Sequence, residues 1–334
     1  MELLTYFLVG IVTLIAAWVG TGFARYLLHR YAVFDRPNPR SSHTLPTPRG
    51  GGLGVIAVLL LVWGAIFCFV PSAPVGGWIL LAAAFFLAAV SWIDDLQGLS
   101  PTIRLFFQSI AVTAALIAFP NDAMVFQGTF PPLLDRIATG LLWLWFLNLF
   151  NFMDGIDGIT GVETAALGFG VALIALLVGL APSLSYCGIT VAAAALGFLV
   201  WNWPPAKIFL GDVGSIPLGF LLGWLLIFLA ANGHWVESLV LPLYYLADST
   251  VTLVRRLFAG EQIWEAHADH FYQLATRRGL SHSSVVYVVL ATNLGLIGLA
   301  VLASTGLPWL SLLFAILLVG MVLVILRNPF REKA

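Results

Sequence analysis

Charge is scarce in this sequence. Only 9% of its 334 residues are Asp, Glu, Lys or Arg, and 60% are hydrophobic. Soluble domains carry about 25% charged residues, so a free-standing soluble domain is excluded over most of the chain. Cysteine is scarcer still. Cys68 and Cys187 both sit in apolar runs, which speaks against a disulfide framework or a thiolate metal site. No Lys/Arg-rich tract suggests nucleic acid as a partner. A Walker A motif is absent, so ATP hydrolysis is not indicated. Glu2 replaces the basic start of a secretory leader and no small-residue cleavage site follows, so the first apolar run is expected to stay as a membrane anchor. There is no internal repeat and no low-complexity tract.

What the sequence has instead is long hydrophobic runs. A helix needs about 20 residues to cross a bilayer. Runs of that order fall at 3–27, 53–70, 77–94, 103–120, 137–153, 159–180, 185–203, 214–232, 235–254, 284–304 and 307–326. The expected fold is therefore all-α, a polytopic integral membrane protein of about 11 transmembrane helices forming one domain over 1–334. With eleven spans the loops alternate sides. One set of loops and ends holds 14 of the 15 basic residues and the other holds only Arg136. The positive-inside rule places the basic set in the cytoplasm, with the N-terminus outside and the C-terminus inside. Two internal loops are long, about 26–52 and 257–283, and 121–136 is the one sizeable external loop.

The acids then fall on one face. Asp94 and Asp95, in SWIDDLQG, end the third span on the cytoplasmic side. Asp154 and Asp157, in NFMDGIDG, end the fifth, and Asp212, in FLGDVGS, precedes the eighth. Asn148 and Asn151 extend the polar line into the fifth span, because residues three apart are neighbours on a helix. Five carboxylates without matching bases repel one another, so a cation is expected among them. Hard oxygen ligands suit Mg²⁺, with Mn²⁺ as a substitute, held by one or two carboxylates plus substrate phosphates. The glycines of DGIDG and GDVGS leave room for a phosphate to approach the backbone. The plain alternative, a set of helix caps, suits any one of these aspartates better than all of them together.

The loop DRPNPRSSHTLPTPRGGG offers Arg36, Arg40 and Arg49 as forks for phosphate oxygens, with Gly50, Gly51 and Gly52 as an anion-holding turn. The second long loop reads EQIWEAHADHFYQLATRRGLSH. His267 and His270 are three apart there, near Arg277 and Arg278, and phosphate suits them better than zinc, for which local ligands are too few. Asp248 lies seven residues before Arg255, about 10 Å inside the boundary at helical rise. An acid at that depth is functional by default. No other span shows a comparable acid, which argues against a transport path.

Together these residues resemble the polyprenyl-phosphate N-acetylhexosamine-1-phosphate transferases of glycosyltransferase family 4, which include the phospho-N-acetylmuramoyl-pentapeptide transferases. The resemblance runs from DRPNPRSSH to HADHF and is most specific at Asp94–Asp95, Asn151–Gly158 and Phe209–Ser215. It implies a Mg²⁺-dependent enzyme of the bacterial inner membrane. Such an enzyme moves a sugar 1-phosphate from a UDP-N-acetylhexosamine to undecaprenyl phosphate and releases UMP. It implies Asp212 as the principal metal ligand, with Asp94 and Asp95 supporting the metal and handling the acceptor phosphate. Asp157 looks like a nucleotide contact, with Asn151 and Asp154 beside it. His267 and His270 fall in the family's histidine loop. Arg40, Arg49, Asp248 and Arg277 remain substrate-binding candidates. The chain departs from the family's pattern in HADHFYQ, with Tyr272 where another His is common, and in PTPRGGG, which lacks a lysine-bearing insertion of the muramoyl branch. Both departures look more like the subset that initiates O-antigen and lipopolysaccharide synthesis. A homodimer is an open assembly. The competing readings are a transporter of a phosphorylated or lipid-linked solute and a non-catalytic membrane scaffold.

Overall fold

A computed structural model describes residues 2–37, 45–70, 73–74, 76–120, 123–262 and 267–328. Arg40 lies outside the described residues. The molecule is nearly all helix, as hydrocarbon demands: a backbone there must satisfy its own N–H and C=O groups. The order is α1 (Glu2–Arg30), β1 (Phe34–Asp35), β2 (Thr47–Pro48), α2 (Gly52–Phe69), α3 (Gly77–Gln97), α4 (Pro101–Ile117), α5 (Pro132–Phe152), α6 (Ile159–Leu177), α7 (Pro182–Asn202), α8 (Asp212–Ala231), α9 (Trp235–Val240), α10 (Leu243–Phe258), α11 (Phe271–Arg277), α12 (His282–Ser304) and α13 (Pro308–Arg327). Among the described residues, nine helices are long and apolar enough to cross a membrane: α1, α2, α3, α5, α6, α7, α8, α12 and α13. This is a multi-pass membrane protein.

Two of the eleven expected spans differ in kind. The fourth, α4, is an apolar helix of 17 residues. The ninth is not continuous. It breaks at Leu241–Pro242 into the six-residue α9 and the sixteen-residue α10. Proline has no N–H to donate and its ring crowds the preceding turn, which the apolar count over 235–254 did not weigh. The fifth span is longer than expected. It begins at Pro132 rather than 137 and runs 21 residues, or about 31 Å at helical rise. Asp135 in its first turn is buried and accepts the N–H groups of Val125 and Phe126 at 3.1 and 2.9 Å. The preceding loop is thus folded back onto the helix.

α8 is the central helix. Seventeen of its 20 residues are buried, and it packs against α2, α3 and α5. Its entry is fixed by contact with α2: a Cβ built on Gly52 would stand 2.2 Å from Gly214 Cα. Only glycine on both sides lets two backbones come that close. The outer helices α1, α4 and α13 expose Phe7, Val12, Phe106, Ile117, Leu317 and Val324, side chains suited to lipid.

α6 carries a second deep acid that the sequence reading overlooked. Glu163 is fully buried and accepts from Asn293 Nδ2 of α12 at 2.7 Å. The pair joins two helices. It leaves Glu163 Oε1 and Asn293 Oδ1 without partners among the described residues.

Candidate active site

The C-terminal ends of α3 and α5 and the N-terminal end of α8 meet at one end of the bundle. The neighbours Asp94 and Asp95 point about 100° apart on α3, and their partners differ accordingly. Asp95 Oδ1 accepts the Asp212 N–H at 3.0 Å and Oδ2 accepts the Val213 N–H at 2.9 Å. Its carboxylate caps α8, satisfying two of the donors that a helix start leaves open. Gly211 must be glycine for this: its φ is +76°, and a Cβ there would lie 2.8 Å from Asp95 Oδ2. Asp94 instead accepts the Leu99 N–H at 2.6 Å. That bond folds the chain after α3 towards Ser100, whose hydroxyl caps α4.

The acids are not without bases, contrary to the expectation from sequence. Arg49 Nη2 stands 2.7 Å from Asp95 Oδ1 and 2.8 Å from Asp212 Oδ1. Arg104 Nη1 stands 3.3 Å from Asp94 Oδ2 and 3.6 Å from Asp212 Oδ2. Burial works against the charge on Arg49, but Asp212 and Asp95 outweigh it and hold its pKa above the ordinary value. Three carboxylates against two guanidiniums leave one negative charge (3 − 2 = 1). Arg104 is not among the candidates named from sequence. Its place near the start of α4, ten residues beyond Asp94, was the available signal.

The expected anion-holding turn is otherwise engaged. The N–H groups of Gly50 and Gly51 both donate to Phe209 O, at 3.1 and 2.8 Å, and Gly52 N–H donates to Leu210 O at 2.9 Å. Phe209 N–H returns a bond to Pro48 O at 2.8 Å. These bonds tie the Arg49 segment to the Asp212 loop and leave no amides converging on an anion. The glycines of DGIDG are also engaged. Gly155 faces the Tyr272 hydroxyl, where a Cβ would stand 2.2 Å away, and Gly158 N–H donates to Asn202 Oδ1 at 2.8 Å.

Asn151 and Asp154 adjoin this cluster, and Asp157 lies beyond them. Ser215 Oγ donates to Asn151 Oδ1 at 2.6 Å, joining α5 to α8. Burial pushes the Asp154 carboxyl up to about 6, against the pull of a Thr160 hydrogen bond and of Arg49. Asp157 Oδ2 accepts the Ala206 N–H at 3.0 Å and lies 3.4 Å from His282 Nδ1. Asn148 is turned away, to Gln108 Oε1 at 2.8 Å.

The histidine segment is anchored by Asp248. Asp248 is fully buried. Its Oδ1 accepts the Phe271 N–H at 2.9 Å, and its Oδ2 accepts the Tyr272 N–H at 3.2 Å and the Tyr244 hydroxyl at 3.3 Å. It caps α11 as Asp95 caps α8. His270 is 2% exposed, with Nδ1 3.3 Å from Asp248 Oδ1, so it belongs to the same clamp. His267 packs against it with tilted rings whose centroids are 4.9 Å apart. Burial, joined by the charges of His270 and Arg256, pushes His267 down to about 4, so its imidazole is neutral near pH 7. Arg256 pairs with Asp269 and Glu261, and Arg255 donates to Asp269 O at 2.8 Å. Arg277 ends α11, exposed.

Among the described residues no three His, Cys, Asp or Glu side chains group as a metal site. The donor set nevertheless suits a hard cation. Asp95 is already engaged by the start of α8 and by Arg49. Asp94 and Asp212 share Arg104 and could supply the one or two carboxylates that Mg²⁺ takes, with phosphate and water oxygens as the rest.

Residues 77–230 match the model of glycosyl transferase family 4. Over this segment the chain is similar to that family. The matched segment spans α3 to α8 and so contains Asp94, Asp95, Arg104, Asn151, Asp154, Asp157 and Asp212. Arg49 and the Asp248–His270 clamp lie outside it. Three relatives extend the likeness. A probable undecaprenyl-phosphate N-acetylglucosaminyl 1-phosphate transferase of Bacillus subtilis is 26% identical over 325 residues, 92% of this chain and 88% of that one. A decaprenyl-phosphate N-acetylglucosaminephosphotransferase of Mycolicibacterium smegmatis is 28% identical over 328 residues, 84% and 78% of the two chains. An undecaprenyl-phosphate alpha-N-acetylglucosaminyl 1-phosphate transferase of Escherichia coli O157:H7 is 29% identical over 300 residues, 85% and 78%.

Proposed function

We propose that this protein transfers an N-acetylhexosamine 1-phosphate, N-acetylglucosamine 1-phosphate in the first instance, from its UDP-sugar to undecaprenyl or another polyprenyl phosphate. The relatives' names support the sugar and the lipid. The observation that carries the chemistry is Asp212, flanked by Arg49 and Arg104 and adjoining Asp94, at the ends of membrane helices. A lipid phosphate held at the interface and a water-soluble nucleotide sugar can both reach that point. The lipid-linked product would start a glycan of the O-antigen type.

In this reading Arg49 and Arg104 bind phosphate oxygens, for which the guanidinium fork is suited. Asp94 and Asp212 would hold Mg²⁺, or Mn²⁺ in its place, which when bound neutralises diphosphate charge. Asp95 and Asp248 do not touch substrate; they set α8 and α11. Asp157 and Asn151, with Asp154, line the nucleotide side, and His267 faces the donor. An oxygen of the lipid phosphate attacks the sugar-bearing phosphorus. One P–O bond forms there, the anhydride P–O bond to the uridylyl phosphate breaks, and UMP leaves. The acceptor phosphate is largely dianionic near neutral pH, so little base catalysis is required of the protein.

The test is transfer of label from UDP-N-acetylglucosamine into butanol-soluble lipid, with chromatography of the nucleotide product, with and without Mg²⁺. UMP and label in lipid are the expected result. UDP as the sole nucleotide product would overturn the assignment, because attack would then have fallen on sugar carbon.

A further inference from the structure

The acid cluster already holds cations of its own, and their placement is specific. Each carboxylate oxygen of Asp212 faces a guanidinium: Arg49 Nη2 is 2.8 Å from Oδ1 and Arg104 Nη1 is 3.6 Å from Oδ2. The arginine side chains are the exposed members, 34% each, against 8, 1 and 15% for those of Asp94, Asp95 and Asp212. They form the outer layer over the acids.

Arg49 is also held unevenly along its length. Its N–H donates to Val33 O at 3.4 Å, and the residues on either side of it are bonded to Phe209. The backbone is pinned by main-chain bonds, whereas the side chain, about one-third exposed, is held by its ion pairs with Asp95 and Asp212. A divalent cation on Asp212 would set two positive charges beside the guanidinium, where like charges repel strongly. The same guanidinium, turned outward, would present its fork to a phosphate held over the site.

We propose that Arg49 is an exchangeable counter-cation. In the ligand-free protein it neutralises Asp212. When a divalent cation arrives with a phosphate-bearing ligand, the guanidinium leaves Asp212 for the phosphate and keeps its attachment point on the Phe209 loop. The inference rests on the reading above that a divalent cation serves this site. It has two thermodynamic consequences. Metal alone binds weakly, because it must displace an ion pair. Metal and phosphate ligand strengthen each other's binding, and by linkage they do so equally.

The probe is Mn²⁺, followed by loss of its free electron-paramagnetic-resonance signal, on the purified full chain with and without UMP. Without UMP, Arg49→Gln should bind Mn²⁺ roughly tenfold more tightly than the native chain, or better. UMP should tighten Mn²⁺ binding in the native chain and have little effect in Arg49→Gln. Arg49→Lys, which keeps the charge, should retain the native pattern. Arg104→Gln frees the other Asp212 oxygen and should shift Mn²⁺ affinity in the same direction, which keeps the test open should Arg49→Gln not fold. Mn²⁺ binding that is lost in Asp212→Asn yet no tighter in Arg49→Gln than in the native chain would overturn the exchange and leave the metal reading standing. Absence of Mn²⁺ binding in every chain, with UMP present, would remove the metal reading and the exchange together.

Discussion

Tyr272 donates its hydroxyl to the carbonyl oxygen of Phe152 across 3.1 Å. Phe152 is the last residue of α5, two positions before Asp154, so this bond ties the histidine segment to the acid-bearing turn. Tyr272→Phe removes the bond and leaves the ring in place. The expected loss is about 1 kcal/mol of stability, the usual net worth of such a bond. A several-fold fall in kcat should accompany it, with KM for the donor nearly unchanged. Thermal unfolding and steady-state kinetics on one preparation check both, and native values of Tm and kcat would show that the segment holds its place without this bond.

The three aspartates of the central cluster should separate by phenotype. Asp212→Asn and Asp94→Asn should abolish transfer with Tm close to native, since each keeps its volume and loses a charge beside an arginine. Asp95→Asn should lower Tm as well as activity. An amide oxygen replaces only one of the two carboxylate oxygens that hold Asp212 and Val213, and capping groups are worth about 0.5–2 kcal/mol. Near-native turnover in Asp212→Asn at ordinary Mg²⁺ would take that residue out of the site.

The two histidines should also part. His267→Ala should cost more than tenfold in kcat/KM, roughly 1.4 kcal/mol or more, with little change in Tm. His270→Ala opens a gap in the Asp248 clamp and should show first as a lowered Tm. Equal Tm losses in both variants would count against this division.

His267 carries a pH signature. Its pKa is pushed down to about 4 in the folded protein, whereas an unfolded histidine titrates near 6.5. Between those values the unfolded chain takes up a proton that the folded chain refuses. Stability from this group therefore rises with pH from about 4 to about 6.5 and is complete above that. In His267→Gln the Tm difference between about pH 5 and about pH 7.5 should shrink. Thermal scans at the two pH values are sufficient, and an unchanged difference would assign the pH dependence to other groups.

Orientation is testable by cysteine labelling. Leu45→Cys and Gln262→Cys sit at exposed positions on the basic side, and Thr129→Cys sits in the opposite loop. In intact cells an impermeant thiol reagent should reach only the last. Labelling of the first two from outside would reverse the assigned face.

Much of the architecture was legible because hydrocarbon imposes a single rule on each segment. Ten of the eleven apolar runs each fall on a single helix, and loop charge divides their ends consistently. The break at Leu241–Pro242 escaped a hydropathy count, since proline interrupts hydrogen bonding without reducing apolarity. In the site, the acids announced themselves as isolated charges in apolar surroundings. Their division of labour did not. Asp95 and Asp248 look in sequence like Asp94 and Asp212, and only the position of a neighbouring helix start shows that two of them cap helices. Arg104 and Glu163 were passed over for opposite reasons. A basic residue on the cytoplasmic set of loops is accounted for by orientation alone, and the glutamate lies only four residues inside an otherwise uncharged span.

The meeting of Gly52 and Gly214 bears on how this enzyme can be altered. Because α2 and α8 touch backbone to backbone, the rim beneath Asp212 has no slack to be retuned one side chain at a time. Alanine at either glycine would have to push two helices apart and carry Arg49 and Asp212 with them. Variation in what the site accepts, whether by selection or by design, is therefore channelled to other positions, while the floor on which phosphates would rest stays the same.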